Sequence, residues 1–111
     1  MKIEVLFPEF ANLFGDCWNW RYLKQCMPEA ELIETSFSDE PRFAAEKVDM
    51  VIMGAMTESK QELVIKKLMP HRARIAELID SGTVFLMTAN AGEVFCEFIE
   101  NEDGSRVRGL G

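Results

Sequence analysis

The sequence contains little of what metal centres and disulfide scaffolds require. It has one histidine and three cysteines, and no two of the cysteines form a Cys-X-X-Cys pair. An odd number of cysteines is typical of reduced thiols in a reducing compartment, because a framework of bridges uses cysteines in pairs. A structural zinc site takes four closely spaced Cys or His ligands. We therefore expect no metal site and no disulfide framework.

Basic residues and long apolar runs are also scarce. The chain carries 12 Lys and Arg against 19 Asp and Glu, a formal net charge of -7, which is the wrong sign for attracting phosphates and argues against a nucleic-acid partner. The longest apolar runs, such as 83–87, fall far short of the roughly 20 residues that cross a bilayer. Met1-Lys2 leads directly into a strand-like run and not into a signal sequence. We expect a cytoplasmic protein without membrane contact.

What is present is the composition of an ordinary globular domain. Hydrophobic residues make up 48% and charged residues 28% of the chain, close to the averages for soluble domains. A chain of 111 residues has room for one hydrophobic core. We therefore interpret 1–111 as a single domain.

Apolar runs that alternate with helical patterns indicate βαβ units. The predicted strands are 3–7, 30–37, 48–53 and 83–87. The predicted helices run from Gly15-Asp16 to Met27-Pro28, over 42–47, from Thr57 until Gly82 ends the region, with a split or kink at Pro70, and over 92–98. A tight turn at 102–105 predicts a closing hairpin.

Two of these helices carry apolar faces that we expect to be buried. In the first, Trp18, Tyr22, Leu23 and Cys26 recur at three-to-four spacing, which predicts a core face and leaves Trp20 as an interface candidate. In the long helical region, six residues are predicted to share a face: Leu63, Val64, Leu68, Ile75, Leu78 and Ile79. Asp16 and Thr57 are the expected amino-terminal caps.

This order of elements predicts an α/β fold, a flavodoxin-like three-layer sandwich. Its sheet is mostly parallel with helices on both faces, and a small hairpin follows at the carboxyl terminus. In such sheets ligands bind outside the carboxyl ends of the strands. Those ends are the loops 8–16, 54–58 and 88–93.

The first of these loops carries a family resemblance. Asn12-Leu13-Phe14-Gly15-Asp16, followed by Asn19, resembles the Asn-Leu-Tyr-Gly-Asp and following Asn of cobyric acid synthase-type glutamine amidotransferases. The amidotransferase subunit of lipid II isoglutaminyl synthase belongs to that group. The segment 49–54 with Thr57 and Gln61 is similar to the strand and Gly-rich loop of the same family.

The third loop aligns with the family's nucleophile elbow, a tight strand-to-helix turn that exposes a cysteine above the sheet. Asp103-Gly104 and Gly109-Leu110-Gly111 match the family's Asp-Gly and Gly-Leu-Gly, and counting back from them places Ala89 at the cysteine position. A methyl group cannot attack an amide. Gly54-Ala55-Met56 also departs from the glycine-rich loop that would approach an oxyanion. The family's histidine and acidic partner lie beyond Gly111, so we expect no catalytic residue in this chain.

The resemblance therefore implies a non-catalytic glutamine amidotransferase-like module that binds a partner or a small ligand at the strand-end loops, without a cofactor. The candidate binding residues are Asn12, Gly15, Asp16, Gly54, Ala55, Thr57, Gln61, Thr88, Asn90 and Glu93. One alternative is an active amidotransferase completed by a carboxyl-terminal half or by another chain. A second is a flavodoxin-like nucleotide or flavin binder, although the sequence lacks a phosphate-binding glycine motif.

The sequence also leads to expectations about partners and about the isolated residues Cys96 and His71. In the family the chain continues into further strands after this point, so we expect an unpaired sheet edge and a homodimer. The family also implies a Mur ligase-like or other synthetase partner. Cys96 is expected to be a small buried hydrophobe, and His71 a solvated surface residue among basic neighbours.

Overall fold

Four parallel strands form the central sheet of the computed structural model, which describes residues 2–10, 17–100, 104 and 106–111. In spatial order they are β2 (Glu31–Thr35), β1 (Lys2–Leu6), β3 (Met50–Met53) and β4 (Val84–Met87). The α-helices are α1 (Cys17–Cys26), α2 (Glu58–Leu68) and α3 (Arg72–Asp80), and three 3-10 helices span Arg42–Ala44, Met69–His71 and Ala89–Phe95. The strands β5 (Phe98–Glu100) and β6 (Arg106–Arg108) form an antiparallel hairpin.

Helices cover both faces of the sheet. On one face, Ile3, Val5 and Ile52 pack with Trp20 of α1. On the other face, Val51 and Met53 belong to a second cluster that includes the buried residues of α2 and α3. The strand β2 lies on one side of β1, and β3 and β4 lie on the other. Right-handed crossovers that run in opposite directions along a sheet place their helices on opposite faces. The predicted α/β three-layer sandwich is confirmed.

The strand order positions the candidate site. The order β2-β1-β3-β4 matches the first four strands of the flavodoxin-like arrangement, in which the direction of winding reverses between β1 and β3. At such a switch point the loops after the two strands diverge and leave a crevice at the carboxyl edge. The loops after β1, β3 and β4 all lie at that edge.

Several predicted helix boundaries are also confirmed. The Thr57 side chain accepts a hydrogen bond from the Lys60 N–H at 3.4 Å and caps α2. Pro70 divides the long helical region, since α2 ends at Leu68 and a 3-10 turn precedes α3. Gly82 follows α3 with a φ of +101°, a left-handed conformation that glycine adopts without a Cβ clash.

The helix predicted over 92–98 is wrong. A 3-10 helix covers Ala89–Phe95, and the chain enters β5 at Phe98. The returning strand explains the difference: the Leu110 N–H donates to the Val94 carbonyl and the Gly109 N–H to the Glu97 carbonyl, both at 2.9 Å. The Val94 carbonyl, which an α-helix over 92–98 would use internally, is thus satisfied by a residue more than ten positions away.

The predicted apolar face of α1 is also wrong. Trp20 is buried and Tyr22 is 67% exposed, so the expected roles of these two aromatic residues are exchanged. Trp20, Leu23 and Met27 lie three and four residues apart and pack on the same cluster, which is the true core stripe. The Trp18 side chain lies outside the described part of the structure.

Other burial predictions are corrected as well. Leu63 and Ile79 are exposed, whereas Val64, Leu68, Ile75 and Leu78 are buried. Each helix buries a stripe of its own: the stripe of α2 includes Gln61 and Ile65 and leaves Leu63 out, and that of α3 leaves Ile79 out. Cys96 is exposed. The His71 side chain is only 18% exposed and lies edge-on to the Phe43 ring, so it is not a solvated surface residue.

A fully buried carboxylate, Glu4, lies in the middle of β1. Its Oε2 accepts hydrogen bonds from Thr35 Oγ1 at 2.5 Å and from the Arg42 N–H at 2.7 Å. Its Oε1 accepts from the Phe43 N–H at 2.9 Å. The side chain therefore joins β1 and β2 to the amino terminus of the 3-10 helix at Arg42–Ala44, where unsatisfied N–H groups favour an acceptor.

Candidate functional site

Two strained residues mark the carboxyl edge of the sheet. Phe7, directly after β1, has a φ of 50°, and Ala89, shortly after β4, has a φ of 51°. Left-handed backbone costs a non-glycine residue roughly 1–3 kcal/mol and persists where the surrounding structure enforces it, often beside binding or catalytic sites. Both residues lie at the carboxyl edge of the sheet, Phe7 after β1 and Ala89 after β4.

Ala89 has the local geometry of a nucleophile elbow. It lies between β4 and the 3-10 helix that it begins, and it is exposed. A strand, one residue in left-handed conformation and a helical turn together lift a side chain above the sheet. Here the raised side chain is a methyl group, which has no lone pair with which to attack a carbonyl carbon.

The loop after β3 is held against this elbow by a side-chain amide. Asn90 Oδ1 accepts a hydrogen bond from the Met56 N–H at 3.0 Å. Asn90 Nδ2 donates to the Met56 carbonyl at 2.6 Å. Both main-chain polar groups of Met56 are thus paired with one side chain, and the buried stretch Gly54, Ala55 and Met56 is fixed in place.

A second amide extends this contact into α2. Gln61, 4% exposed, donates through Nε2 to the Asn90 carbonyl at 2.8 Å and to Glu93 Oε2 at 3.1 Å. We call Met56, Gln61, Asn90 and Glu93 the loop clamp. Its hydrogen bonds join the segments 56–61 and 90–93, which are distant in sequence, and polar networks of this kind fix one arrangement when their members are paired.

The loop clamp does not contain the parts of an acyl-transfer site. An oxyanion needs backbone N–H groups aimed at it, whereas the Met56 N–H already donates to Asn90. The chain's one histidine, His71, contacts Glu40 at 3.1 Å and the Phe43 ring, and neither partner belongs to the clamp. Among the described residues, no group of three or more His, Cys, Asp or Glu side chains is placed to hold a metal ion.

An aromatic group borders the loops after β1 and β2, and the sequence patterns did not predict it. The Phe37 ring lies 5.3 Å from the Phe7 ring and 4.6 Å from the Phe10 ring, measured between centroids. Lys60 Nζ lies 4.2 Å from the Phe10 centroid, which is a cation–π geometry. The available signal was position, since Phe7, Phe10 and Phe37 all follow strand ends at the same edge.

The structure brings together most of the predicted binding residues that it describes. Gln61, Asn90 and Glu93 form the clamp, and Gly54 and Ala55 lie in the loop that it holds. Thr57 instead caps α2, and the Thr88 N–H donates to the Met53 carbonyl at 3.1 Å, joining the ends of β3 and β4. The remaining predicted residues, Asn12, Gly15 and Asp16, lie outside the described residues.

No protein-family model and no curated protein matches the sequence. The family resemblance thus depends on the quoted residues alone. In the part of the chain that the structure describes, no helix is both long and apolar enough to cross a membrane.

Proposed function

We propose that the chain is a non-catalytic glutamine amidotransferase-like module that binds a small ligand at the loops after β1, β3 and β4. The observation that carries the proposal is Ala89, which has the exposed position and the left-handed backbone of a nucleophile elbow without a nucleophile. An elbow without a reactive atom still keeps its strained backbone and its exposed position, which are features of binding sites as well as of catalytic ones.

The clamp supports a binding role more than a catalytic one. Gln61 and Asn90 use their amide groups to hold the loops together, so these amide groups are already occupied in organising the loops. Pre-arranged loops lower the ordering cost of binding. The resemblance makes glutamine, or a small molecule with a similar amide and α-amino acid group, the ligand to test first.

The experiment restores the nucleophile and asks whether glutamine reaches it. The unmodified chain, Ala89→Cys and a control, Ala73→Cys on the exposed side of α3, are each incubated with glutamine and with a diazo-ketone analogue of glutamine. Ammonia release and alkylation of each cysteine are followed by a coupled assay and by peptide mass spectrometry. We expect no ammonia from the unmodified chain.

We also expect the new thiol at position 89 to be alkylated about tenfold faster than the one at position 73, because binding holds the electrophile beside it. Glutamine should slow the first reaction and not the second. Ammonia from the unmodified chain would show an active amidotransferase and contradict the proposal. Equal alkylation of the two thiols, unaffected by glutamine, would show that the elbow no longer binds such a ligand.

A further inference from the structure

A groove lies between α2 and the terminal hairpin, and none of its lining residues belongs to the loop clamp. It has a volume of about 610 Å³ and is open to solvent on one side. We call it the basic groove and define it by its apolar floor and cationic rim: Ile65, Met69, Val107, Lys66, Arg106 and Arg108. Glu62 is the acidic residue that contributes to the same wall.

The groove follows the outer edge of β6. All three consecutive residues of β6 line it, whereas Ile99, the β5 partner of Val107, does not. The hydrogen bond from the Gly109 N–H to the Glu97 carbonyl fixes the alternation of the antiparallel ladder. Val107 therefore exchanges hydrogen bonds with Ile99, and the N–H and C=O of Arg108 point away from β5 toward the groove.

The rim has the opposite charge to the rest of the molecule. The chain has a net charge of -7, yet Lys66, Arg106 and Arg108 together border this one groove. Among the described residues, neither Lys66 nor Arg108 forms an ion pair. A cationic rim on an acidic protein favours an acidic partner by attraction at the groove and repulsion elsewhere.

We propose that the basic groove binds an extended acidic segment of a partner protein, which adds to β6 as a further strand. Main-chain hydrogen bonds to Arg108 would supply affinity, and alternate side chains would supply specificity. Val107 faces the core while the side chains of Arg106 and Arg108 share the opposite face of the hairpin. A partner segment that fits the groove therefore alternates apolar residues, which pack on Ile65 and Met69, with acidic residues, whose carboxylates lie beside the two arginines.

The same geometry disfavours a second copy of this chain as the occupant. If β6 paired with itself across a two-fold axis through Val107, Arg106 of each copy would lie opposite Arg108 of the other. Like charges directly opposite one another destabilise a strand pair. An acidic strand removes that repulsion and supplies a charge-assisted contact to Arg108, which is stronger than a neutral hydrogen bond.

Three blocked seven-residue peptides test the proposal against the ¹⁵N-labelled chain of residues 1–111. The first alternates Val and Glu around a central Glu, the second has Lys in place of Glu, and the third is the Glu/Val peptide with a methyl group on the main-chain nitrogen of the central Glu, whose N–H would point toward β6 in antiparallel pairing. We expect only the first to bind, with amide shifts confined to 62–69 and 106–108. Its affinity should fall about tenfold in Arg108→Glu, because a hydrogen bond to a charged group is lost and a repulsion is added.

Lys47→Glu is the matched control, since it makes the same charge change at an exposed position that does not line the groove. It should leave the affinity for the Glu/Val peptide unchanged. Equal binding of the Lys/Val peptide would remove the charge argument, and equal binding of the N-methylated peptide would exclude strand addition. Amide shifts centred elsewhere would also overturn the proposal. Self-association that Arg108→Glu abolishes would overturn it too, because it would show that a second copy fills the groove.

Discussion

At the scale of single residues, the chain depends on polar side chains whose partners lie far away in sequence. Glu4 accepts hydrogen bonds from residues 31 to 39 positions further on, and Gln61 and Asn90 meet across a separation of 29 residues. Helical and strand periodicity predicts which positions face the core, but it does not predict which polar side chains will pair there. The family resemblance selected Gln61, Asn90 and Glu93, whereas Glu4 had no such signal.

Glu4 offers the first test at this scale. Glu4→Leu leaves the hydroxyl of Thr35 and the N–H groups of Arg42 and Phe43 without their acceptor in a buried place. Since each orphaned polar group costs roughly 1–3 kcal/mol, we expect the free energy of unfolding to fall by about 3 kcal/mol or more. Urea unfolding followed by circular dichroism measures it.

Two further variants control that measurement. Glu4→Gln keeps an acceptor oxygen and the side-chain shape, so it should cost less than Glu4→Leu. Glu31→Gln changes an exposed glutamate at the edge of the same sheet and should have almost no effect. A loss in Glu4→Leu no larger than that of Glu31→Gln would show that the buried carboxylate contributes nothing to stability.

Tyr22 provides a pH-dependent test. The pKa of its phenol lies above the ordinary value of 10.0, first because of the hydrogen bond with Cys26, then because of charge repulsion from Cys26, with desolvation third. A raised pKa favours the neutral phenol in the folded state. This contribution is fully present below the unfolded pKa and is lost as the pH rises through the folded pKa.

The measurement is direct because Tyr22 is the only tyrosine. Phenolate absorbance in an alkaline titration should have its midpoint above 10.0 in the unmodified chain. In Cys26→Ala both leading causes disappear, so we expect the midpoint to move down toward that ordinary value. An unchanged midpoint would mean that Cys26 is not responsible, and a Cys96→Ala control should titrate like the unmodified chain.

At the scale of elements, strands were easier to predict than the terminal segment. The strands β3 and β4 are short apolar runs between turn residues, so local composition was enough. The region 89–98 was misassigned because its hydrogen bonds come from Gly109 and Leu110, which pattern analysis of a local window does not include. The face of α1 was misassigned because two overlapping apolar stripes were available and tertiary contact with the sheet selected the one through Trp20.

Gly109 is the position at which this returning segment approaches closest. A Cβ at Gly109 would lie 2.0 Å from the Cys96 carbonyl oxygen and 3.0 Å from the Val94 carbonyl oxygen. Both are backbone atoms and cannot move aside as a flexible side chain would. We expect Gly109→Ala to lose the contact between the hairpin and the 3-10 helix and to destabilise the chain by more than about 2 kcal/mol.

Gly92 supplies the control within the same segment. A Cβ there would meet no atom within 4 Å, and its φ is not left-handed. Gly92→Ala should be neutral or stabilising by up to about 1 kcal/mol, because it reduces the entropy of the unfolded chain. Thermal unfolding compares the two variants, and amide hydrogen exchange over 94–99 locates the change. Equal stability of the two variants would contradict the close approach at Gly109.

At the scale of the whole molecule, the sheet is covered unevenly. The strand β4 is an edge strand, and its register pairs Val84 with Met50 and Leu86 with Ile52. The inner residues of this face are covered by α1, but Val84 is 51% and Leu86 36% exposed. The chain thus has an apolar strip on an open strand edge, which native proteins usually pair, cover or charge.

We predict that this strip mediates the homodimer suggested by the sequence, through pairing of β4 across a two-fold axis. Sedimentation equilibrium should give a mass that rises toward twice that of the monomer as concentration increases. Leu86→Lys should shift the equilibrium to monomer, because it buries a charge within the apolar strip. Ile79→Lys changes an equally apolar and exposed residue on α3 and should leave association intact. Val84 and Leu86 do not line the basic groove, so Arg108→Glu should also preserve the dimer. A monomeric mass for the unmodified chain at high concentration would contradict the β4 interface and would not bear on the basic groove.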